Sequence, residues 1–102
     1  VLFRGVMSLS YVTLTLWSAS EMSDEMIATA NEKYVPLVMS VGAKGVQMVR
    51  TGDLTMCVIT QYSDAATAAA AQEKIAELRK QAAGEFTMTM DGVHAGEVFA
   101  SN

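Results

Sequence analysis

Five residues carry side chains suited to binding or transforming a small organic molecule. His94 is the single histidine of the 102-residue chain, and histidine is the residue type commonly used as a general base near neutral pH. Tyr11 and Trp17 offer flat faces on which an aromatic ligand would stack. Asn31 and Tyr34 lie three residues apart, so on a helix they would line the same pocket. We therefore predict His94 as the catalytic residue and Tyr11, Trp17, Asn31 and Tyr34 as substrate-binding residues.

Each of these residues also has a purely structural interpretation. A single histidine near the end of a chain is commonly a residue at the rim of a domain. Tyr11 and Trp17 would serve equally well as packing between two protomers, and Tyr34 as packing between a helix and a sheet, with Asn31 at the surface. The residue types alone leave both interpretations open, because similar folds host both enzymes and binding modules.

The composition predicts one domain and excludes several classes of partner. Hydrophobic residues make up 51% of the chain and charged residues 18%, which is enough apolar content for a core. Seven basic residues against eleven acidic ones give a net charge of -4, so nucleic acid is not an expected partner. No apolar run approaches the roughly 20 residues that span a bilayer, and no secretory signal is present. We expect a cytoplasmic protein with no membrane partner.

Metal and disulfide chemistry would need more ligands than the chain offers. Cys57 is the single cysteine, so an intramolecular disulfide is excluded, and one cysteine with one histidine does not complete a zinc site of the usual kind. Seven of the eight methionines fall on predicted strands or on the first predicted helix, where they would fill the core, rather than in the short exposed repeats that copper binding favours. We expect no metal and no cofactor.

Several short stretches alternate between apolar and polar residues, which is typical of strands. Four such strands are predicted over residues 11–17, 45–51, 54–62 and 86–91, and a short fifth over residues 93–100. The middle two read as a hairpin that turns at Gly52 and Asp53. We favour a three-residue loop, which places one set of apolar side chains on a common face: Val46, Met48, Leu54, Met56 and Val58.

Two stretches show helical spacing instead. Ser20 and Ser23 are candidate N-caps for a first helix that runs to about Gly42, with a kink or an early end expected at Pro36. Ser63 is the predicted N-cap of a second, alanine-rich helix that ends at the next glycine. The inward stripe of this second helix is predicted to be Ala68, Ala71, Ile75, Leu78 and Ala82.

The order of these elements is β-α-β-β-α-β followed by an extra short strand. This order predicts an α+β, ferredoxin-like fold, in which a four-stranded antiparallel sheet carries both helices on one face. The alternation places Val12, Leu14 and Leu16 toward the helices. The opposite face is then predicted to carry Tyr11, Thr13, Thr15, Trp17, Cys57, Ile59, Gln61, Thr87 and Thr89.

That opposite face contains large apolar groups that would be costly to leave in water. Burying Trp17 or Ile59 contributes about 1.5 to 3 kcal/mol each, so a second layer is expected to cover the face. A second copy of the chain would provide this layer. We therefore predict a homodimer formed through the open face of the sheet.

The predicted pattern of residues 8–102 resembles the dimeric α/β-barrel superfamily, which includes antibiotic-biosynthesis monooxygenase-like proteins. In that superfamily two sheets face each other to enclose a barrel. The resemblance implies a cofactor-independent, monooxygenase-like or isomerase-like enzyme that acts on a small hydrophobic or aromatic compound. The alternative is a noncatalytic small-ligand-binding or dimerisation module, and the sequence leaves open whether the protein is an enzyme.

The first residues have a different character from the rest of the chain. Val1 to Gly5 resemble the recognition core of a picornaviral 3C protease site, Val-Leu-Phe-Gln-Gly, with Arg4 in place of glutamine. We expect residues 1–7 to be an expression remnant and residues 8–102 to form a single ferredoxin-like domain.

Overall fold

A four-stranded antiparallel sheet forms the centre of the molecule, with the strands in the order β2-β3-β1-β4. The computed structural model describes residues 9–102, so the predicted expression remnant lies outside the described residues. Strand β1 lies inside the sheet and pairs with both β3 and β4. The strands are β1 (Tyr11–Ala19), β2 (Gly45–Arg50), β3 (Thr55–Tyr62) and β4 (Met88–Glu97).

The helices follow β1 and β3, and both pack on the same face of the sheet. The first is a continuous helical segment made of α1 (Asp24–Thr29), a π-helical turn (Ala30–Tyr34) and α2 (Val35–Ser40), and the second is α3 (Ala65–Glu85). The predicted ferredoxin-like α+β architecture is thereby confirmed. Across residues 9–102, no helix has both the length and the apolar character needed to cross a membrane.

Short polar side chains begin both helices. The Ser23 hydroxyl accepts a hydrogen bond from the backbone N–H of Met26, which confirms one of the two predicted caps. The predicted cap of the second helix is wrong by one residue: Asp64, not Ser63, accepts from the backbone N–H of Thr67 at 2.7 Å. A carboxylate at this position is favoured because it also faces the positive end of the helix dipole.

Pro36 does not end the first helical segment. Proline lacks an N–H, and its ring is incompatible with a straight α-helical path past the carbonyl of residue 32. The chain widens into the π-helical turn directly before it, where the Val35 N–H bonds to the carbonyl of Ala30, five residues earlier. The segment continues to Ser40, and Gly42 then takes a positive φ of 118° that lets the chain turn away.

The hairpin between β2 and β3 has the predicted loop length, which decides which side chains of the two strands share a face. The Thr51 N–H donates to the Thr55 carbonyl at 3.0 Å, which leaves three residues, 52–54, in the loop. Met48 therefore pairs with Val58, and the even-numbered residues of both strands share one face. That face is the one covered by the helices.

Strand β4 is one continuous strand, so the predicted separate fifth strand is wrong. Its register against β1 shifts between Leu16 and Trp17, where Leu16 pairs with Gly92 but Trp17 pairs with Met90. The extra residue, Asp91, forms a β-bulge that absorbs the break in alternation without ending the strand. From the sequence, the bulge and the glycine next to it looked like a strand end.

The predicted orientation of β1 is inverted in the structure. Trp17 pairs with Met56 on the helix-covered face, whereas Leu16 pairs with Cys57 on the open face. Trp17 is 4% exposed and Thr15 is 3% exposed, so this aromatic and threonine-rich side of the strand is the buried one. The aliphatic side is the uncovered one, because pairing with β3 sets the face of β1 and places Trp17 beside Met56 under the helices.

Candidate functional site

An apolar cavity lies between the helices and the sheet. It has a volume of about 80 Å³, and every helix and strand of the fold contributes to its wall. Three aromatic and four methionine side chains dominate the lining: Trp17, Tyr34, Phe86, Met26, Met48, Met56 and Met88. Methionine side chains are flexible and polarisable, so a wall built from them adapts to the shape of a ligand.

Trp17 is held in a fixed orientation on the floor of the cavity. Its indole Nε1–H donates a hydrogen bond to the Thr15 Oγ1 at 2.7 Å, and both groups are buried. The two residues are neighbours on the same face of β1 because side chains alternate along a strand. This bond satisfies the buried indole N–H and leaves the apolar ring as the surface that a ligand would meet.

A polar clamp joins the first helical segment to the end of α3 beside the cavity. The Tyr34 hydroxyl donates to the Glu85 Oε1 at 2.6 Å, and the Lys33 Nζ lies 2.8 Å from the same oxygen. Burial, together with the bond to Glu85, raises the pKa of Tyr34 to about 12. The hydrogen bond from Lys33 and that from Tyr34 lower the pKa of Glu85.

The clamp also positions aromatic surface. The Tyr34 ring meets the Phe86 ring edge-on, with 5.3 Å between the ring centroids, and both residues line the cavity. Thr87, which follows, has a positive φ of 50° and turns the chain from α3 into β4. The clamp therefore fixes one end of the cavity wall at the junction of three elements.

The structure brings together only two of the five predicted site residues, Trp17 and Tyr34. Tyr11 lies on the helix-covered face but packs against a separate core cluster around Tyr62. Asn31 is exposed, and its side-chain amide donates to the Ile27 carbonyl at 3.3 Å. The remaining residue, His94, lies on the opposite face of the sheet.

The open face of the sheet is the side that the helices leave uncovered. Its apolar side chains form a continuous surface across three strands: Val12, Leu14, Leu16, Val49, Cys57 and Ile59. Leu16 is 38% exposed and Val49 42% exposed, while Cys57 between them is buried by its neighbours. His94 adjoins this surface, since it pairs with Leu14. Among residues 9–102, no three His, Cys, Asp or Glu side chains are placed to hold a metal ion.

One charged residue of the cavity was not among the predicted site residues. Arg79 lies on α3 and lines the cavity beside Leu78 and Ala82. It falls four residues after Ile75 and three before Ala82, so the helical stripe contained the signal for its inward position. A search confined to aromatic and titratable residues near neutral pH passes over an arginine, and so Arg79 was missed.

Comparison with known proteins supports the fold. No protein-family model matches the sequence, and no curated protein matches it. Solved structures with a similar fold include MupZ from Pseudomonas fluorescens, at 18% identity and a TM-score of 0.71 over 97% of this chain and 76% of that one. They also include NE2512, a protein of unknown function from Nitrosomonas europaea, at 16% identity and a TM-score of 0.61 over 92% and 94% of the two chains.

A third similar structure is a dimeric ferredoxin-like protein from an uncultured marine organism. It is 11% identical to this chain, with a TM-score of 0.55 over 93% of this chain and 91% of that one. At such identities the likeness shows the fold alone. The chain thus has a ferredoxin-like fold, and its chemistry must be argued from its own residues.

Proposed function

We propose that this protein binds a small apolar compound, and that the binding site is the cavity between the helices and the sheet. The observation that carries the proposal is the lining of that cavity, in which the Trp17 and Phe86 rings and the methionine side chains leave an apolar space. Ligand sites are typically concave and mostly apolar, with a few polar groups that orient the ligand. Of the two functions predicted from the sequence, we therefore favour the small-ligand-binding module over the enzyme.

The small size of the cavity and the flexible side chains in its wall favour a flat or slender compound. A rigid cavity of about 150 Å³ accepts benzene in another protein, and the space here is about 80 Å³. The flexible side chains of Met48, Met56 and Met88 can move apart to enlarge it. A single aromatic ring or a short alkyl chain between Trp17 and these methionines is the expected occupant.

We also propose that the protein is a homodimer joined through its open sheet face. The apolar surface around Leu14, Leu16 and Ile59 is what a second copy would cover, since each aliphatic side chain contributes about 1.5 to 3 kcal/mol when fully buried. One protein of similar fold is described as dimeric, which supports the proposal at the level of the fold. In this arrangement the ligand cavity and the dimer interface lie on opposite faces of one sheet.

A second candidate function is a cofactor-independent, monooxygenase-like or isomerase-like reaction that uses His94 as a general base. It is favoured by the position of His94 beside Leu14, because a second copy that covered this surface would also enclose the imidazole. The monooxygenase-like reaction is tested by measuring oxygen uptake with an anthrone as substrate, since anthrone and O₂ give anthraquinone and water. His94→Ala is expected to slow uptake by about 10²- to 10⁴-fold with the dimer intact. An unchanged rate removes His94 from the mechanism.

The binding proposal is tested through Trp17, which is the single tryptophan of the chain and lines the cavity. Phenylacetamide and phenylacetate are titrated separately, because neither absorbs at the wavelengths that excite tryptophan. We expect a saturable change in emission with a dissociation constant of about 1 mM or tighter, as suits such small ligands. No saturable change with either compound would contradict the proposal.

Two leucine substitutions on α3 distinguish binding in the cavity from binding elsewhere. Ala82→Leu places three extra carbons in the cavity, because Ala82 lines it, and is expected to weaken binding at least about tenfold. Ala70→Leu makes the same chemical change on the exposed side of the same helix and is expected to leave the affinity unchanged. Equal affinities in the two variants would place the binding site outside the cavity.

A further inference from the structure

Arg79 brings a positive charge to the inner side of a helix that is otherwise apolar there. Its neighbours one turn away along α3 are Ile75, Ala76, Ala82 and Ala83, none of which carries a charge. The side chain is half-buried and lines the apolar cavity. A guanidinium in such surroundings loses part of its hydration, which is costly unless an anion replaces the lost water.

The protein itself supplies no carboxylate to Arg79. Within residues 9–102 the one ion pair joins Lys33 to Glu85, and residues 1–8 contain no aspartate or glutamate. The titratable group that acts on Arg79 is the phenol of Tyr62, whose hydroxyl is buried and has no hydrogen-bond partner within residues 9–102. Burial lowers the pKa of the Arg79 guanidinium, as expected of a cation that lacks an anionic partner.

Arg79 also lines a second concave region. A shallow groove on the outside of the molecule lies next to the cavity, and the two share Trp17, Arg79 and Met88 in their walls. Lys80 borders the same groove and adds a second positive charge near its surface. A compound that lies with its apolar part in the cavity would therefore leave its polar end at the guanidinium.

We propose that the ligand of the cavity is a small hydrophobic carboxylate, whose apolar body contacts Trp17 and whose carboxylate binds the Arg79 guanidinium. This inference rests on the proposed function of the cavity and specifies the class of compound. A carboxylate matches the fork of donors on a guanidinium in a two-point hydrogen bond. A single half-buried arginine neutralises one negative charge, which favours a monoanion over a phosphate dianion in a protein of net charge -4.

The test compares pairs of compounds that differ only in charge. Phenylacetate is set against phenylacetamide, and octanoate against octanamide, with Trp17 emission as the readout at pH 7. We expect each acid to bind at least about tenfold more tightly than its amide, which is a modest gain for a charge-assisted pair. The second pair shows whether the preference holds for a chain as well as for a ring.

Three variants assign the preference to one residue. Arg79→Met keeps the apolar stem and is expected to remove the preference for the acids, so that each acid and its amide then bind with similar affinity. Arg79→Lys keeps the charge and is expected to retain part of the preference. Lys80→Met removes the neighbouring exposed charge and is expected to retain most of it, since exposed charges are screened by salt. Thermal melting of each variant confirms that it is folded.

The outcomes separate the two proposals. If amides bind as tightly as acids, or if Arg79→Met keeps the preference for acids, the carboxylate inference is overturned. The proposed function still stands in that case, provided that Ala82→Leu weakens the binding. If none of the four compounds binds, the proposed function falls and the carboxylate inference falls with it. Both proposals are supported if the native protein binds acids more tightly than amides, and if this preference is lost in Arg79→Met and retained in part in Arg79→Lys.

Discussion

Both faces of the sheet carry large apolar side chains, but only one face is covered by the chain's own helices. On the covered face, the chain's own helices enclose Trp17 and the methionines and leave a cavity among them. On the open face, Leu14, Leu16 and Ile59 form a surface that nothing in the described residues covers. The comparison teaches that hydrophobic alternation locates a strand with two apolar sides but does not say which side the helices will cover.

Polar groups differ between the faces as well. On the covered face, two polar side chains find partners within the chain, as the bond from Trp17 to Thr15 and the bond from Tyr34 to Glu85 show. The open face carries several polar side chains, His94 among them, beside its apolar surface. We account for this by assigning ligand binding to the covered face and self-association to the open face.

The largest expected effect comes from a charge on the open face. Ile59→Lys would place an ammonium group in the dimer interface without a partner, which typically costs about 3 to 5 kcal/mol. The dissociation constant of the dimer is then expected to rise at least about 100-fold, as measured by sedimentation velocity. Ile27→Lys is the matched control, because Ile27 is 38% exposed on α1, away from that face. A wild-type monomer at micromolar concentration, or an equally dimeric Ile59→Lys, would refute the interface.

An intermediate effect is expected inside the covered face. Thr15→Val removes the acceptor of the Trp17 indole N–H, which leaves a buried donor unpaired and is expected to lower the free energy of unfolding by about 1 to 3 kcal/mol. Thr89→Val makes the same change on the open side of β4 and is expected to stay within about 0.5 kcal/mol. Urea unfolding at one fixed protomer concentration measures both. Equal losses in the two variants would show that the indole bond contributes nothing specific.

A smaller, pH-dependent effect is expected at the clamp beside the cavity. The pKa of Tyr34 rises from its ordinary value of 10.0 to about 12 on folding, so the folded protein holds this proton more tightly than the unfolded chain does. The resulting stability is complete below pH 10 and is lost as the pH rises toward about 12. Wild type should lose up to about 2 kcal/mol more than Tyr34→Phe over this range. The control Tyr11→Phe should behave as wild type, and an equal loss in Tyr34→Phe would contradict the account.

Much of the fold followed from local sequence signals. The alanine stripe of α3, the Ser23 cap and the three-residue hairpin loop each depend on chemistry within a few residues, and the structure confirms them. The inverted face of β1 did not follow, because both sides of that strand offer apolar groups. Only the pairing of Trp17 with Met56 decides between them, and pairing with a distant strand is not a local property.

The candidate site was predicted less completely than the fold. Trp17, named for its aromatic ring, and Tyr34, named for its helical spacing from Asn31, meet at one cavity, whereas Asn31 itself is exposed. The π-helical turn changes which residues of that helix share a face, so simple three-residue spacing fails there. Arg79 was missed because its importance comes from the lack of a partner, which only the packed structure reveals.

The division of roles between the two faces is tested most directly by a methyl NMR spectrum of protein labelled at isoleucine Cδ1. The chain has three isoleucines, and each lies on a different surface: Ile75 in the cavity, Ile59 on the open face and Ile27 outside both. Phenylacetamide, used here because it is neutral, is predicted to shift the Ile75 methyl signal alone. Dilution through the dimer dissociation constant is predicted to shift the Ile59 signal alone. A ligand-induced shift at Ile59 with none at Ile75, or dissociation that leaves Ile59 unchanged, would contradict the account.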